Sequence, residues 1–323
     1  MRLVTYQKGG GEQRAGALID GDTRIVDLAE AHGALSREPG PASVLAIAEG
    51  GDGALDRARE AVANAPASAV VRRAEVRLRA PIQPPPQMRD CLCFELHLKQ
   101  AVQSLRAMQS GDPQKAAAEI ERTGTPDVPA VFYRQPIYYK ANRFAVIGTD
   151  DEVVWPAYSK FLDFELELGI YLKDKVKDAH RDDALKHVFG YTIFNDMSAR
   201  DAQSVEMEGR LGPAKGKDFD TANAMGPCLV TADEIPDPYN LTMIARVNGE
   251  EWGRGNSSSM YWKFEDLIAF ISRSETLYPG EFLGSGTVGN GCGLEHLRFI
   301  KPGDVIELEV ERIGILRNRV VTG

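Results

Sequence analysis

Glu165 and Glu167 sit two residues apart in Leu162-Asp163-Phe164-Glu165-Leu166-Glu167-Leu168-Gly169-Ile170, a segment otherwise apolar enough to be a β-strand. Residues i and i+2 of a strand point to one face, so both carboxylates are expected to converge while Phe164, Leu166 and Leu168 cover the other side. Two ionised carboxylates on a half-buried strand repel each other and lose hydration. They persist only with a cation, basic partners or a shared proton. A hard divalent metal is the simplest such partner, and the plain alternative is an edge strand whose acidic face lies in water.

Three further segments carry groups that suit such an ion or its substrate. Asp196 ends the apolar run Phe189-Gly190-Tyr191-Thr192-Ile193-Phe194-Asn195 and leads into Met197-Ser198-Ala199-Arg200-Asp201. Ligand groups are commonly mounted at the end of a buried strand, and Asp196 would be a third oxygen ligand; the competing reading is an Asp N-cap. Arg200 and Gln203 suit one face of a short helix and could hold a substrate carboxylate by bidentate hydrogen bonding. Lys217, in Gly216-Lys217-Asp218-Phe219-Asp220-Thr221, is a loop cation of a kind that ordinary surface turns also show. His97, one of five histidines, follows a short apolar stretch. A lone histidine is commonly structural, yet imidazole is the natural general base near neutral pH.

The elements that must position these groups follow from pattern. Residues 1–80 show short strands separated by Gly-Asp turns and an alanine-rich helical stretch at 41–66, which reads as a small N-terminal α+β domain. Pro81-Ile82-Gln83-Pro84-Pro85-Pro86 is a stiff extended connector, and residues 81–323 form the larger catalytic domain. Residues 98–125 read as two helices broken by Gly-Asp-Pro at 111–113, either a lid beside the site or a surface hairpin. From Pro136 onward short strands dominate, with helices expected at 182–188 and 264–272. The fold class is α+β and β-rich.

With 323 residues, 43% hydrophobic and 26% charged, the chain has the composition of a globular protein with a sizeable core. A net charge of -9 without a concentrated basic surface argues against a nucleic-acid partner. No apolar run approaches a membrane span, and the N-terminus lacks a signal-peptide core, so a cytoplasmic location is expected. Cys91, Cys93, Cys228 and Cys292 read as free thiols, because a bridge between the close pair would be strained and zinc spacings are absent. Gly284-Ser285-Gly286-Thr287-Val288-Gly289 fits GxGxxG, but Asn290-Gly291-Cys292-Gly293 follows instead of a helix, so it reads as a glycine-rich active-site loop. No GxSxG elbow occurs.

Taken in order, these segments resemble the fumarylacetoacetate hydrolase superfamily over roughly residues 88–323: the Leu162–Leu168 run, Gly190-Tyr191-Thr192 through Asp201, Gly216–Thr221, Leu277-Tyr278-Pro279-Gly280 with Gly284–Thr287, and Lys301-Pro302-Gly303-Asp304. The resemblance implies a mixed β-roll with a deep metal site, in a homodimer, acting on 2-oxo or 1,3-dicarbonyl acids with Mg²⁺, Mn²⁺ or Ca²⁺. It puts Glu165, Glu167 and Asp196 on metal-ligand positions, Asp90 on a fourth carboxylate, Lys217 on the active-site lysine and His97 on the catalytic histidine. Arg106, Tyr139, Arg200, Gln203 and Thr287 fall at substrate contacts. Many short members carry a glutamate three residues after that histidine. Gln100 stands there in this chain, and Glu295 instead looks like the acid that orients histidine and water. Val288 replaces a common proline.

The expected chemistry is metal-assisted hydrolysis of a carbon–carbon bond in an acylpyruvate-type acid, of the kind met in aromatic-compound catabolism. His97 and Glu295 would activate water, and the metal with Lys217 would stabilise the enolate. An isomerase, hydratase or decarboxylase would use the same site, and a binding protein with a structural ion is a rival of another class.

Overall fold

A computed structural model describes residues 1–110, 122 and 128–323; the side chains of residues 106–110 lie outside that description. The expected lid over 98–125 therefore falls largely outside the described residues, although its first helix, Glu95–Ser110, is present.

The fold is α+β and strand-rich. Among the described residues one mixed sheet of twelve strands carries the site, and a five-stranded sheet packs beside it. The centre of the large sheet is made of Leu166–Leu172, Val188–Asp196 and Asn223–Thr231, whose residues are buried almost without exception. A strand covered on both faces reads as a continuous apolar run, and Val188-Phe189-Gly190-Tyr191-Thr192-Ile193-Phe194 is such a run. Any acid in these strands is thereby removed from water.

Register brings the acids together. Leu166–Leu172 pairs antiparallel with Val188–Asp196, Leu166 facing Asn195 and Glu167 facing Phe194. On its other edge Gly169 faces Gly284 of Phe282–Gly284, and Gly284 faces Asp90 of Met88–Cys91 in parallel. Asp196 and Glu167 therefore come from neighbouring strands of one sheet, and Asp90 from the strand beyond Phe282–Gly284. The N-terminal segment extends this same sheet, since Leu3 of Arg2–Gln7 pairs with Leu229 of Asn223–Thr231. The proline connector is pinned to it by Gln83 Nε2 donating to the Val146 carbonyl at 2.6 Å and by Arg143 donating to Pro85 at 2.6 Å.

The strand expected to run unbroken through 162–170 is interrupted. Leu162–Asp163 pairs with Ser198–Ala199 in a separate small sheet, the main strand resumes at Leu166, and Glu165 between them makes an isolated bridge to Cys292. Asp163 holds the break open by accepting from the Phe164 amide at 2.9 Å. Helix Phe264–Ile271 and the 3-10 turn Arg181–His187 lie where helices were expected, as do Val44–Glu49 and Gly51–Ala63. Asp196 ends its strand, and the N-cap of the following helix, Arg200–Glu208, is Ala199.

Candidate active site and metal centre

A carboxylate oxygen from each of Asp90, Glu167 and Asp196 lies within 4.8 Å of the other two. All three side chains are buried. Gly284 makes the cluster possible: a Cβ there would come within 2.4 Å of Asp90 Oδ1 and 2.9 Å of Glu167 Oε2. At Gly286 the backbone is left-handed, with φ of 75°, and its amide donates to Glu167 Oε2 at 2.9 Å and to Asp90 Oδ1 at 3.2 Å. The glycine-rich run thus serves carboxylates through close backbone approach, a use that needs no helix behind it.

Supply of positive charge to the trio is incomplete. Lys217 Nζ reaches Asp196 Oδ2 at 2.6 Å and Tyr139 donates to the same oxygen at 2.7 Å. Glu167 Oε1 and Asp196 Oδ1 are buried with no hydrogen-bond partner among the described residues. Burial raises Asp90 to about 6, opposed by a hydrogen bond with Glu167 and by the field of Lys217. Burial raises Asp196 to about 7, with Lys217 opposing and Glu165 and Asp90 adding to the shift. Glu167 is pushed well above the ordinary carboxylate range by burial and then by Asp90. Three buried acids with two unpartnered oxygens at this spacing fit a hard divalent ion, whose oxygen ligands sit about 2.0–2.6 Å from it.

Glu165 stands outside the trio. Its Oε1 meets Arg200 at 2.8 Å and its Oε2 meets Lys217 at 2.5 Å, so both oxygens already face cations. Burial disfavours its charge, but Lys217, Arg200 and His97 outweigh burial and hold it below the ordinary carboxylate range. Lys217, in turn, is raised despite burial by Asp196 and Glu165. The two glutamates expected on one face thus have separate partners, because the strand breaks at Glu165.

His97 projects from the first turn of Glu95–Ser110, where Nδ1 lies 2.9 Å from Glu295 Oε1. Glu295 is held by the Cys292 amide, which donates to its Oε2 at 3.0 Å. Gln100, three residues after His97, clamps the same loop by donating to Asn290 Oδ1 at 2.7 Å and accepting from the Asn290 amide at 3.2 Å.

Asp163 is the residue that the sequence reading passed over. It accepts from the amides of Gly293 and Leu294 at 2.8 and 2.9 Å and from Arg200 Nη2 at 2.6 Å, although burial still raises its carboxyl against the pull of Arg200. It thereby ties the Glu295 loop to Glu165 through one guanidinium. The available signal was its place in the alternation 163, 165, 167. Arg200, expected at a substrate, is 3% exposed and engaged by Asp163, Glu165 and Gln203 Oε1, the last at 3.0 Å. Tyr139 likewise faces Asp196, and Thr287 is buried beside Gly286. The Arg106 side chain lies outside the described residues. The four cysteines are free and buried.

This arrangement on this sheet defines a class of enzyme, and the chain belongs to it: residues 102–321 match the family described as fumarylacetoacetate (FAA) hydrolase C-terminal. The chain is 40% identical over 189 residues to a human protein named oxaloacetate tautomerase FAHD2A, mitochondrial, an alignment covering 58% of this chain and 60% of that one. Fumarylacetoacetate hydrolase (EaFAH) from the psychrophile Exiguobacterium antarcticum superposes with a TM-score of 0.75 at 24% identity, over 100% of both chains. Maleylpyruvate hydrolase from Sphingobium sp. SYK-6, solved with manganese(II) and pyruvate, gives 0.72 at 24% identity, again over 100% of both. These two structures share the fold. Among the described residues no helix is long and apolar enough to cross a membrane.

Proposed function

We propose that the chain hydrolyses a carbon–carbon bond in an acylpyruvate-type 1,3-dicarbonyl acid, with a divalent ion held by Asp90, Glu167 and Asp196. The observation that carries this reading is the His97–Glu295 pair at 2.9 Å, in which the glutamate follows a loop tied to the acidic segment by the bridge between Cys292 and Glu165. Bound there, Mg²⁺ or Mn²⁺ would polarise a carbonyl and stabilise enolate charge, which is what a 2-oxo acid needs in order to break its neighbouring bond.

The protein's own residues do the rest. In the neutral ring, with Nδ1–H donating to Glu295, the other nitrogen of His97 would offer a lone pair to take a proton from water. The hydroxide oxygen bonds to the acyl carbon, the bond to the pyruvyl carbon breaks, and its electron pair passes to that carbon as an enolate. The proton on His97 then returns to the carbon, giving a carboxylic acid and a 2-oxo acid. Lys217, anchored by Glu165 and Asp196, holds positive charge beside the developing anion. Arg200 positions Glu165 and, through Asp163, the Glu295 loop. Thr287 and Arg106 remain proposed substrate contacts.

A second reading is keto–enol tautomerisation of a 2-oxo dicarboxylic acid, favoured by the likeness to the human protein named oxaloacetate tautomerase. That reaction moves a proton and needs no attacking water. The deciding experiment follows acylpyruvates, fumarylpyruvate and oxaloacetate enol in Mg²⁺ or Mn²⁺ and in chelator, with products separated chromatographically. Hydrolysis predicts two carbon fragments and a loss on the order of 10²-fold in Glu295→Gln. Enol decay with no fragments and an unimpaired Glu295→Gln would transfer the assignment to the tautomerase. Turnover unaffected by chelator would remove the metal from either reading. A homodimer, implied by the family, is part of the proposal and is read by light scattering; exposed Val205, Met207 and Leu211 give it apolar surface to cover.

A further inference from the structure

Beside the oxygen-only cluster lies a second constellation of different chemistry. A ring nitrogen of His97, Sγ of Cys292 and a carboxylate oxygen of Glu295 all lie within 4.8 Å of one another. The geometry points to an inhibitory site for a thiophilic divalent ion, zinc or cadmium, formed by His97, Cys292 and Glu295. Nitrogen, sulfur and oxygen donors together suit zinc and its softer relatives, whereas Mg²⁺ and Mn²⁺ prefer the all-oxygen trio. The two neighbouring sites are thereby separated by softness.

The fit needs little movement. Tetrahedral zinc with ligands at about 2.0–2.3 Å sets them roughly 3.3–3.6 Å apart. The 2.9 Å contact between His97 and Glu295 would open by a few tenths of an ångström, and Cys292 would close by about 1.5 Å at most. The peptide unit before Cys292 is held by both its polar groups: the Cys292 amide donates to Glu295 and the Gly291 carbonyl accepts from the Leu166 amide at 2.9 Å. Binding replaces the thiol proton of Cys292, which leaves to solvent, and leaves a fourth position for water. No role in the proposed reaction falls to this thiol, which burial and then Glu295 keep protonated in the metal-free site. Occupation of the site takes His97 out of use as a base, so the inhibition rests on the reading above, while the binding does not.

The experiment uses the full chain with saturating Mg²⁺. Zinc is titrated against turnover, and cobalt(II) is titrated spectroscopically for the thiolate-to-cobalt charge-transfer band in the near ultraviolet. Native protein is expected to show the band and to lose turnover with zinc. Cys292→Ser should keep turnover near the native level, lose the band and need roughly 10–100-fold more zinc for the same inhibition, the range that weakened ligation produces. Cys292→Ala serves the same purpose should the serine variant fold poorly. Equal zinc sensitivity in native and variant proteins, with no thiolate band in the native chain, would overturn the site and leave the enzymatic reading intact. A Cys292-dependent band without inhibition would uphold the metal site and instead remove His97 as the base.

Discussion

Two groups of buried carboxylates meet at Lys217, and the fold treats them oppositely. Asp163 and Glu165 face Arg200, Lys217 and backbone amides, and each of their oxygens is engaged. Asp90, Glu167 and Asp196 share one lysine contact, a tyrosine and one glycine amide, and leave two oxygens without a partner. Residue type and burial are the same in both. What differs is whether the chain supplies the counter-charge: Glu165 is held low, although burial still raises Asp163, while Asp90, Glu167 and Asp196 are all raised. A protein that closes one group with its own cations and leaves the adjoining one short has built a strut next to a receptor for a cation.

The comparison is broken most severely at Arg200. Arg200→Leu leaves Asp163 and Glu165 buried without their guanidinium and should cost about 3–5 kcal/mol in urea unfolding, the usual penalty for removing one partner of a buried pair. A loss below about 1 kcal/mol would mean that the pair behaves like an exposed one and the strut does not exist.

The open group responds to metal rather than to loss of a partner. At a free Mn²⁺ concentration a hundredfold above its dissociation constant, the native chain should gain about 2.7 kcal/mol of stability, seen as a rise in melting temperature. Glu167→Gln should abolish that gain while leaving the metal-free protein as stable as the native chain or more so, since it removes a carboxyl whose ionised form burial and Asp90 disfavour. Equal stabilisation of both by Mn²⁺ would place the ion elsewhere.

The last effect is a slope, small at any one pH. Asp196, raised from 3.8 to about 7, binds its proton more tightly in the fold than in the unfolded chain. Its contribution to metal-free stability is therefore present at low pH and is lost as pH rises from about 4 to about 7, by at most about 1.4 kcal/mol per pH unit. The stability of Asp196→Asn relative to the native protein should rise across that window in chelator. A constant difference would show that Lys217 fully neutralises Asp196 in the absence of metal.

Legibility in the sequence follows the same division. Asp196 at the end of a buried apolar strand and Glu167 inside one were readable from local pattern, because burial of these strands follows from their uninterrupted hydrophobic runs. Asp90 entered only through the family resemblance, since nothing in Met88-Arg89-Asp90-Cys91 announces a parallel strand beside Gly284. Glu165 was expected to share the face of Glu167, and the engagement of both its oxygens depends on Arg200 and on Lys217, 52 residues away. Asp163 belonged to the same alternation as the two glutamates, yet its role became visible only with the Gly293 and Leu294 amides in place.

By itself, then, the amino-acid sequence determined the family, the strand-rich fold and the set of acids, lysine and histidine available for chemistry, because hydrophobic period, glycine placement and motif order are local properties. The tertiary structure decided which acids receive a cation from the chain and which do not. Electrostatic balance is a matter of ångströms between segments that the sequence keeps far apart: Lys217 lies 52 residues from Glu165, and His97 lies 198 residues from Glu295.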